Sequence, residues 1–214
     1  MTTYPFRSAL LTGASAGIGE AMAHLLGKSG VPTVLVARRE DRLREIAAMY
    51  PGFEVLAADL TTDAGVKLVA ERLRDPNRPI DLLVNNAGFG TSGHFRDLDP
   101  ARLDNEISLN VRSLVQLSHA AMHAMGERRR GWIMNVSSVA SFQAGPSLAV
   151  YAATKAFVTN FSESIHEEGK AVGVKVTALC PGLTRTEFQS VSNTSDLETN
   201  FPGFAWCTPE MVDR

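Results

Sequence analysis

Short apolar segments alternate with helical segments along most of the chain, and this alternation constrains the fold more than any other feature. The predicted strands are short apolar runs rather than apolar-polar alternations, and they lie at 9–11, 33–37, 54–59, 80–85, 132–137 and 174–180. The helices predicted between them lie at 20–30, 39–49, 63–74, 103–125 and 151–169. Strands of this type belong to parallel sheets with helices on both faces. The sequence therefore predicts a doubly wound α/β fold, in which ligands bind at the carboxyl ends of the strands.

Length and composition indicate one domain with no polyanionic partner. The chain has 214 residues, and we expect a single domain over 1–214 in which the polar, turn-rich segment 183–214 forms a lid region. A net charge of −2 gives no basic surface for nucleic acid or for anionic membranes. There is no signal-peptide pattern and no apolar run of the ~18 residues that a membrane span needs. Cys180 and Cys207 are expected to be reduced thiols, so the predicted location is cytoplasmic.

A glycine-rich turn, TGASAGIG, follows the first predicted strand and opens the first helix. Helix N-termini have unpaired N–H groups that attract phosphate, and glycine lets the backbone approach an anion closely. Gly13 is expected to form the tight turn, while Gly17 and Gly19 bring the helix and a pyrophosphate together. A turn that is merely tight is the alternative interpretation. The turn lacks the Gly-Lys-Ser/Thr ending of a P-loop, so a nucleoside triphosphatase is not expected.

The end of the second predicted strand indicates which dinucleotide would bind. An NAD site usually has a carboxylate there for the ribose 2′-hydroxyl, whereas this chain has Arg38 and Arg39. Two guanidinium groups suit a 2′-phosphate, so NADP (NADPH) is favoured over NAD. The alternative is a solvated helix start with two unrelated arginines. Asp59, at the end of the third strand, is predicted to meet the adenine.

Tyr151 and Lys155 are four residues apart on a predicted helix, so the phenol and the ammonium lie on one face. A nearby ammonium is expected to lower the phenol pKa and so make it suitable for acid/base chemistry. A packing pair on the surface is the alternative. Ser138, at the end of the fifth strand, is expected at the same sheet edge, where its hydroxyl could polarise a carbonyl oxygen.

These motifs together resemble the short-chain dehydrogenase/reductase (SDR) family. TGxxxGxG at 12–19, Asn-Asn-Ala-Gly at 85–88, Asn110, Ser138, the Tyr151/Lys155 pair and Pro-Gly-x-x-x-Thr at 181–186 follow one another in the family's order, and the resemblance spans residues 8–190. It implies a Rossmann-type parallel sheet in three α/β/α layers. With the arginines above, it implies a cofactor site formed by Thr12, Gly13, Ser15, Gly17, Ile18, Gly19, Arg38, Arg39, Asp59, Leu60, Asn86, Ala87, Gly88, Tyr151, Lys155, Pro181, Gly182, Thr184 and Thr186.

The resemblance also implies catalytic roles. Tyr151 would be the acid/base, Ser138 would orient the substrate oxygen, Lys155 would bind the nicotinamide ribose, and Asn110 would hold a water that links Lys155 to solvent. A hydride would pass between nicotinamide C4 and a carbonyl or alcohol carbon. A catalytically silent dinucleotide-binding or assembly protein of the same fold is the alternative. An epimerase or dehydratase of the longer relatives is less favoured, because the glycine spacing and the larger C-terminal domain of those proteins are absent.

Several further expectations concern partners and substrate. Residues His119 and His123 are four apart, but no third ligand lies nearby in sequence and no metal site is predicted. The resemblance implies a homodimer or homotetramer built on the helices at 103–125 and 151–169. The family's further helix, seventh strand and closing segment have no counterpart after Met211, so either the chain is incomplete or one sheet edge is missing. If the loop residues converge, the substrate has apolar bulk; these residues are Phe89, Phe142, Leu148, Phe201, Phe204 and Trp206.

Overall fold

The computed structural model describes residues 4–184, 187, 192 and 206–212. Its centre is a parallel sheet of six strands in the order β3-β2-β1-β4-β5-β6. The strands are β1 (Ala9–Thr12), β2 (Thr33–Ala37), β3 (Glu54–Ala57), β4 (Leu82–Asn85), β5 (Gly131–Val136) and β6 (Val174–Leu179). The predicted doubly wound, Rossmann-type sheet is confirmed.

Helices connect successive strands. They are α1 (Gly17–Lys28), α2 (Glu40–Ala47), α3 (Asp63–Arg74), α4 (Pro100–Ile107), α5 (Leu114–Glu127), α6 (Ala149–Val172) and the short α7 (Pro209–Val212). The helix predicted at 103–125 is α4 and α5 joined by a π-helical segment, Ser108–Ser113. Two short 3₁₀ turns, Phe95–Asp97 and Val139–Phe142, lie in the loops after β4 and β5. None of the helices in the described ranges is long and apolar enough to cross a membrane.

Both faces of the sheet are buried at its central strands, which explains why β1, β2 and β4 are mostly apolar, whereas the edge strands β3 and β6 are partly exposed. On one face Leu10, Leu83 and Ile133 pack in a cluster with apolar side chains of α3 and α5. On the other, Leu11 and Leu35 pack in a cluster with side chains of α1 and α2. Successive side chains of a strand point to opposite faces, so neighbours such as Leu10 and Leu11 serve different layers.

The strand order places a crevice at the carboxyl end of β1. The chain passes from β1 to β2 on one side and from β3 back to β4 on the other, so the connections diverge at this strand. Ligands of doubly wound sheets bind at such a switch point. The third strand ends at Ala57 rather than at Asp59 as predicted, because Asp59 turns into a loop where its side chain accepts hydrogen bonds from Thr61.

Candidate active site

A cavity of about 580 Å³ lies across the carboxyl ends of the strands. Loops that follow all six strands contribute to its wall. The predicted site residues that line it are Gly13, Ser15, Gly17, Ile18, Arg38, Arg39, Asp59, Leu60, Asn86, Ala87, Gly88, Ser138, Tyr151, Lys155, Pro181, Gly182 and Thr184. Thr12, Gly19 and Asn110 lie behind this wall, and Thr186 lies outside the described residues. Most residues singled out from the sequence therefore share one cavity.

The glycine turn packs tightly against the segment that follows β4. Gly13 has a φ of +68°, and a Cβ there would lie 2.7 Å from Asn86 Nδ2. A Cβ at Gly19 would collide with the carbonyl oxygen of Gly13, so Gly19 lets the helix sit on its own turn. Thr12 Oγ1 accepts hydrogen bonds from the N–H groups of Asn86 and Ala87, each at 3.0 Å. Two of the predicted cofactor residues, Thr12 and Gly19, thus shape the turn from behind.

Gly17 lies where the turn faces the cavity. It has a φ of +56° and is the first residue of α1, whose preceding residue supplies no side-chain cap. The first N–H groups of a helix have no intrahelical partner. The cavity therefore contains a helix N-terminus whose backbone donors are not capped by a side chain, which fits a bound diphosphate.

The two arginines after β2 differ in their contacts. Arg39 donates to Ser15 O at 2.8 Å and to Ser15 Oγ at 3.2 Å, and it pairs with Glu187 at 3.0 Å. Arg38 is exposed and lies near Asp59. Burial pushes the pKa of Asp59 up, but the hydrogen bonds from Thr61 and the charge of Arg38 outweigh this effect and lower it. Two cations and one carboxylate therefore flank the adenosine end of the cavity.

Ser138, Tyr151 and Lys155 meet at the opposite end. The Ser138 hydroxyl lies close enough to the Tyr151 phenol to lower the pKa of the phenol. Ser138 Oγ also accepts from Ala140 N at 3.1 Å, which fixes the serine at the start of the 3₁₀ turn after β5. Lys155 is 6% exposed; its Nζ donates to Val136 O at 2.8 Å and lies 5.7 Å from the centre of the Tyr151 ring. A phenol and a hydroxyl, both half-buried, thus share one corner of the cavity with a buried ammonium.

The expectation that Lys155 lowers the phenol pKa is wrong. Burial raises the pKa of Tyr151 to about 12, against a smaller lowering by the Ser138 hydrogen bond. Burial also lowers the pKa of Lys155 to about 8, because desolvation penalises the charged ammonium. Desolvation of the corner outweighs the attraction between the two groups. At neutral pH the phenol holds its proton.

Asn110 lies on the π-helical segment, directly below this corner. Its Nδ2 donates to Phe89 O at 2.8 Å and to Thr154 Oγ1 at 3.1 Å, while its Oδ1 accepts from Phe89 N at 3.1 Å. The side chain thereby ties the loop after β4 to α6. A Cβ on Gly88 would lie 2.9 Å from Asn110 Oδ1, so glycine is needed for this close approach.

The segment that follows β6 forms another part of the cavity wall. Pro181 and Gly182 line the cavity, and a Cβ at Gly182 would meet open space, so no packing requires a glycine there. Thr184 Oγ1 donates a hydrogen bond to Gly182 O at 3.1 Å. The backbone of Thr184 forms an isolated parallel β-bridge with Cys207. This bridge is the point where the last described segment returns to the site.

The predicted convergence of loop aromatics is only partly seen. Phe89 and Leu148 line the cavity. Phe142 is 69% exposed and Trp206 is buried elsewhere, and neither lines it. Phe201 and Phe204 lie outside the described residues. The apolar part of the wall comes instead from small side chains near Ser138, including Val139 and Ala140.

Sequence reasoning missed three polar residues of the site. Thr61 orients Asp59, Glu187 pairs with Arg39, and Glu106 lies buried near Lys155 and Tyr151. The Asp-x-Thr spacing at 59–61 is a recognisable turn signal that could have identified Thr61. Glu106 has the local signature of an ordinary helical glutamate, and its burial comes from tertiary packing alone.

The arrangement fits a nicotinamide dinucleotide. One end has the uncapped helix N-terminus, the middle follows the sheet edge past Gly88, and the far end has a phenol and an ammonium within one corner. The cavity is long enough to reach from Arg38 to Tyr151, since both residues line it. Within the described part of the chain, no group of three or more His, Cys, Asp or Glu side chains could hold a metal ion.

Comparisons with known proteins agree with this arrangement. The family model for short chain dehydrogenases matches residues 7–196. An uncharacterized oxidoreductase of Staphylococcus epidermidis is 35% identical over 179 residues, which cover 83% of this chain and 78% of that protein.

Two solved structures extend the comparison. A short-chain dehydrogenase of Sphingobium yanoikuyae in complex with NADPH superposes with a TM-score of 0.90 at 33% identity, covering 96% of this chain and 81% of the other. A 3-ketoacyl-(acyl-carrier-protein) reductase of Brucella melitensis complexed with NADH superposes with a TM-score of 0.87 at 26% identity, covering 97% and 88%. These similar structures hold different forms of the same class of cofactor.

Proposed function

We propose that this chain, which belongs to the short-chain dehydrogenase family of oxidoreductases, transfers a hydride between NADP(H) and a carbonyl or alcohol substrate. The substrate would be a ketone, an aldehyde or a secondary alcohol. The observation that carries the proposal is the corner of the cavity in which the Ser138 and Tyr151 hydroxyls lie beside the buried Lys155. This corner opens into the same cavity as the glycine turn. Acid/base groups and a cofactor cradle therefore share one space.

The proposed chemistry assigns one task to each side chain. The bound nicotinamide supplies or accepts the hydride at its C4. Ser138 donates a hydrogen bond to the substrate carbonyl oxygen, which becomes more negative as the hydride arrives. Tyr151 gives its proton to that oxygen during reduction, and takes the proton from the alcohol in the reverse direction.

Lys155 is proposed to bind the nicotinamide ribose and to stabilise the phenolate that Tyr151 becomes. The ammonium is held by Val136 O, so it has a fixed position next to the ring. The raised pKa of Tyr151 supports the acid role, because a protonated phenol is available at neutral pH. Asn110 is proposed to complete a proton relay to solvent, and its three hydrogen bonds keep the floor of the corner rigid.

The preference for NADP over NAD rests on the charges at the end of β2. Arg38 is exposed at the cavity rim, and Arg39 reaches the glycine turn through Ser15. A 2′-phosphate between them would form charge-assisted hydrogen bonds that a 2′-hydroxyl cannot match. We also propose that residues 1–214 form one domain, which binds the cofactor and in which residues 183–214 form a lid region.

The substrate is proposed to have apolar substituents. The described residues that form the wall beyond Ser138 and Tyr151 are uncharged, and they are Val139, Ala140, Gln143, Gly145, Leu148 and Leu183. Such a wall gives no partner to a carboxylate or phosphate on the substrate. Ketones with apolar groups on both sides of the carbonyl fit it best.

The alternative function is a catalytically silent dinucleotide-binding protein. Such a protein would need no proton donor in the cavity, and the complete set of Asn110, Ser138, Tyr151 and Lys155 favours the enzyme. The loss of NADPH absorbance on addition of ketones, aldehydes, quinones and β-ketoacyl thioesters, with NADH run alongside, tests the two functions. Tight NADPH binding without turnover of any carbonyl would support the silent protein.

Assembly into a homodimer or homotetramer is proposed from an apolar groove between α4 and α6. Ile107 and Phe157 are 46% and 41% exposed, and both line this groove together with Val111 and Val150. We propose that a second copy of the chain covers the groove. We also propose a cytoplasmic location, where a reducing environment would keep Cys180 and Cys207 as free thiols. Light scattering of the pure protein tests the assembly, and Phe157→Glu is expected to yield monomers.

A further inference from the structure

Glu106 is a fully buried carboxylate with no assigned task. Its side chain is 0% exposed, and neither carboxylate oxygen has a hydrogen-bond partner among the described residues. Burial of an unpaired carboxylate is unfavourable, and proteins that retain one usually gain something else from it. The charge therefore calls for an explanation outside packing.

The position of Glu106 gives that explanation. It lies on α4 one helical turn before Asn110, so its side chain lies on the Asn110 face of this stretch. Asn110 in turn is hydrogen-bonded to Thr154, the residue next to Lys155 on α6. Glu106 thus lies behind the corner that contains the ammonium and the phenol.

The charged and titratable groups that face this carboxylate come from several elements. Arg102 approaches it from its own helix, Lys155 and Tyr151 from α6, and the Thr91 hydroxyl from the loop after β4, outside hydrogen-bond geometry. Cys180, after β6, faces Lys155 from the other side. Among these groups, Lys155 is the fully buried cation, and Arg102 lies partly exposed over the Phe89 ring.

The Glu106 charge shifts the pKa of both neighbouring groups in the same direction. The Glu106 carboxylate raises the pKa of Lys155, which burial otherwise lowers, and it also raises the pKa of Tyr151. Burial raises the pKa of Glu106 above its ordinary value, and Thr91, Arg102 and Lys155 offset only part of this rise. A buried negative charge here favours the protonated form of both partners.

We propose that Glu106 is a positioning residue of the reaction, whose buried charge keeps the Lys155 ammonium protonated and the Tyr151 phenol ready to donate. This inference rests on the function proposed above. Glu106 supplies a negative charge behind the proposed proton relay. The motif residues Asn110, Ser138, Tyr151 and Lys155 supply no such charge. The uncharged glutamine of the same shape should fold as well, but should leave Lys155 without its counter-charge.

A measurement that needs no substrate tests this electrostatic coupling. The chain has five lysines, so a protein labelled with carbon-13 at lysine Cε gives few NMR signals, and Lys155→Arg identifies the signal of interest. In the unaltered protein the Lys155 signal should titrate near the expected pKa of about 8. In Glu106→Gln the midpoint should fall by about one pH unit, because the variant removes one neighbouring negative charge from a partly screened environment.

Two matched variants separate charge from structure. Asp104→Asn removes the same charge from the exposed face of α4 and should leave the Lys155 midpoint unchanged. Glu106→Asp retains the charge and should keep the midpoint close to that of the unaltered protein. Glu106→Gln should also unfold at the same temperature or higher, because a neutral amide is easier to bury.

Turnover provides the second readout. In carbonyl reduction, the fall of kcat/KM at high pH should move to lower pH in Glu106→Gln by the same amount as the NMR midpoint. A Lys155 midpoint that does not move in Glu106→Gln would overturn the proposal. A variant that loses activity and unfolds at a lower temperature, but keeps the same pH profile, would also overturn it. A moved midpoint in a protein that reduces no carbonyl would refute the proposed function and uphold the coupling between Glu106 and Lys155.

Discussion

The two ends of the cavity are built by different means. The proposed adenosine end consists of backbone donors at Gly17 and exposed charges at Arg38 and Arg39, whereas the proposed catalytic end surrounds the buried Lys155. At the exposed end water screens the charges, so a substitution changes affinity by a limited factor. At the buried end desolvation dominates, and Tyr151 shows this in its raised pKa. Burial therefore separates the part of the site that selects a cofactor from the part that performs chemistry.

Replacement of the phenol should have the largest effect. Tyr151→Phe removes the proton donor, so kcat for NADPH-dependent reduction should fall by about 10³-fold while NADPH affinity stays nearly unchanged. Stopped-flow turnover and fluorescence titration of NADPH measure the two quantities. Tyr50→Phe, which removes a hydroxyl bonded to His24 outside the cavity, is the control. Loss of NADPH binding in Tyr151→Phe would indicate a structural role for the phenol.

The buried ammonium should affect stability in a pH-dependent way. The folded-state pKa of Lys155, about 8, lies below its ordinary value of 10.5, so between these two values the unfolded chain binds more protons and stability rises with pH. Lys155→Met removes this slope. Relative to Lys155→Met, the unaltered protein should gain about 3 kcal/mol in free energy of unfolding from pH 7.5 to pH 10.5.

Urea unfolding of both proteins at several pH values measures this difference. The contribution of Tyr151, whose pKa is raised, acts in the opposite direction only above about pH 10, so the slope below that pH reports on Lys155. A difference that stays constant over this pH range would mean that Lys155 is not desolvated in the folded state.

The exposed end should respond with a smaller change in cofactor preference. Arg38→Ala should raise KM for NADPH by about 10–100-fold, because one or two charge-assisted hydrogen bonds to the 2′-phosphate are lost. It should leave KM for NADH almost unchanged. Arg39→Ala should weaken binding of both cofactors, because Arg39 also braces the turn through Ser15. Arg44→Ala, on the exposed face of α2, is the control. Equal losses for both cofactors in Arg38→Ala would refute the NADP assignment.

The support of the adenosine end should show the smallest effect. Thr62 caps α3 through a hydrogen bond from Gly65 N and donates to Asp59 O. Thr62→Ala should lower the free energy of unfolding by about 1 kcal/mol and leave kcat unchanged. Thermal unfolding together with turnover measures both. A large loss of kcat would mean that the two ends of the cavity are coupled.

Most of the fold could be predicted from the sequence because its signals are local. The β-branched run at 33–37 and the apolar run at 174–180 each identify a strand without reference to distant residues, and the structure places strands there. The π-helical segment Ser108–Ser113 was not predicted. Helical periodicity over a few residues hardly distinguishes α from π hydrogen bonding, so the sequence indicated one continuous helix.

Many of the residues that line the cavity could be named from the sequence, whereas their pKa values could not be predicted. The spacing of Tyr151 and Lys155 indicated that the two groups are neighbours, and they are. Spacing contains no information on burial, and for that reason the predicted direction of the phenol pKa was wrong. Glu106 and the ion pair between Arg39 and Glu187 depend on how distant segments pack, so no local pattern indicated either.

A crystal structure of the protein with bound NADPH tests the central claim most directly. The account predicts the diphosphate at the N-terminus of α1, the 2′-phosphate between Arg38 and Arg39, and the reactive face of the nicotinamide beside the Tyr151 and Ser138 hydroxyls. A cofactor bound outside this cavity, or one whose nicotinamide points away from Tyr151, would contradict it.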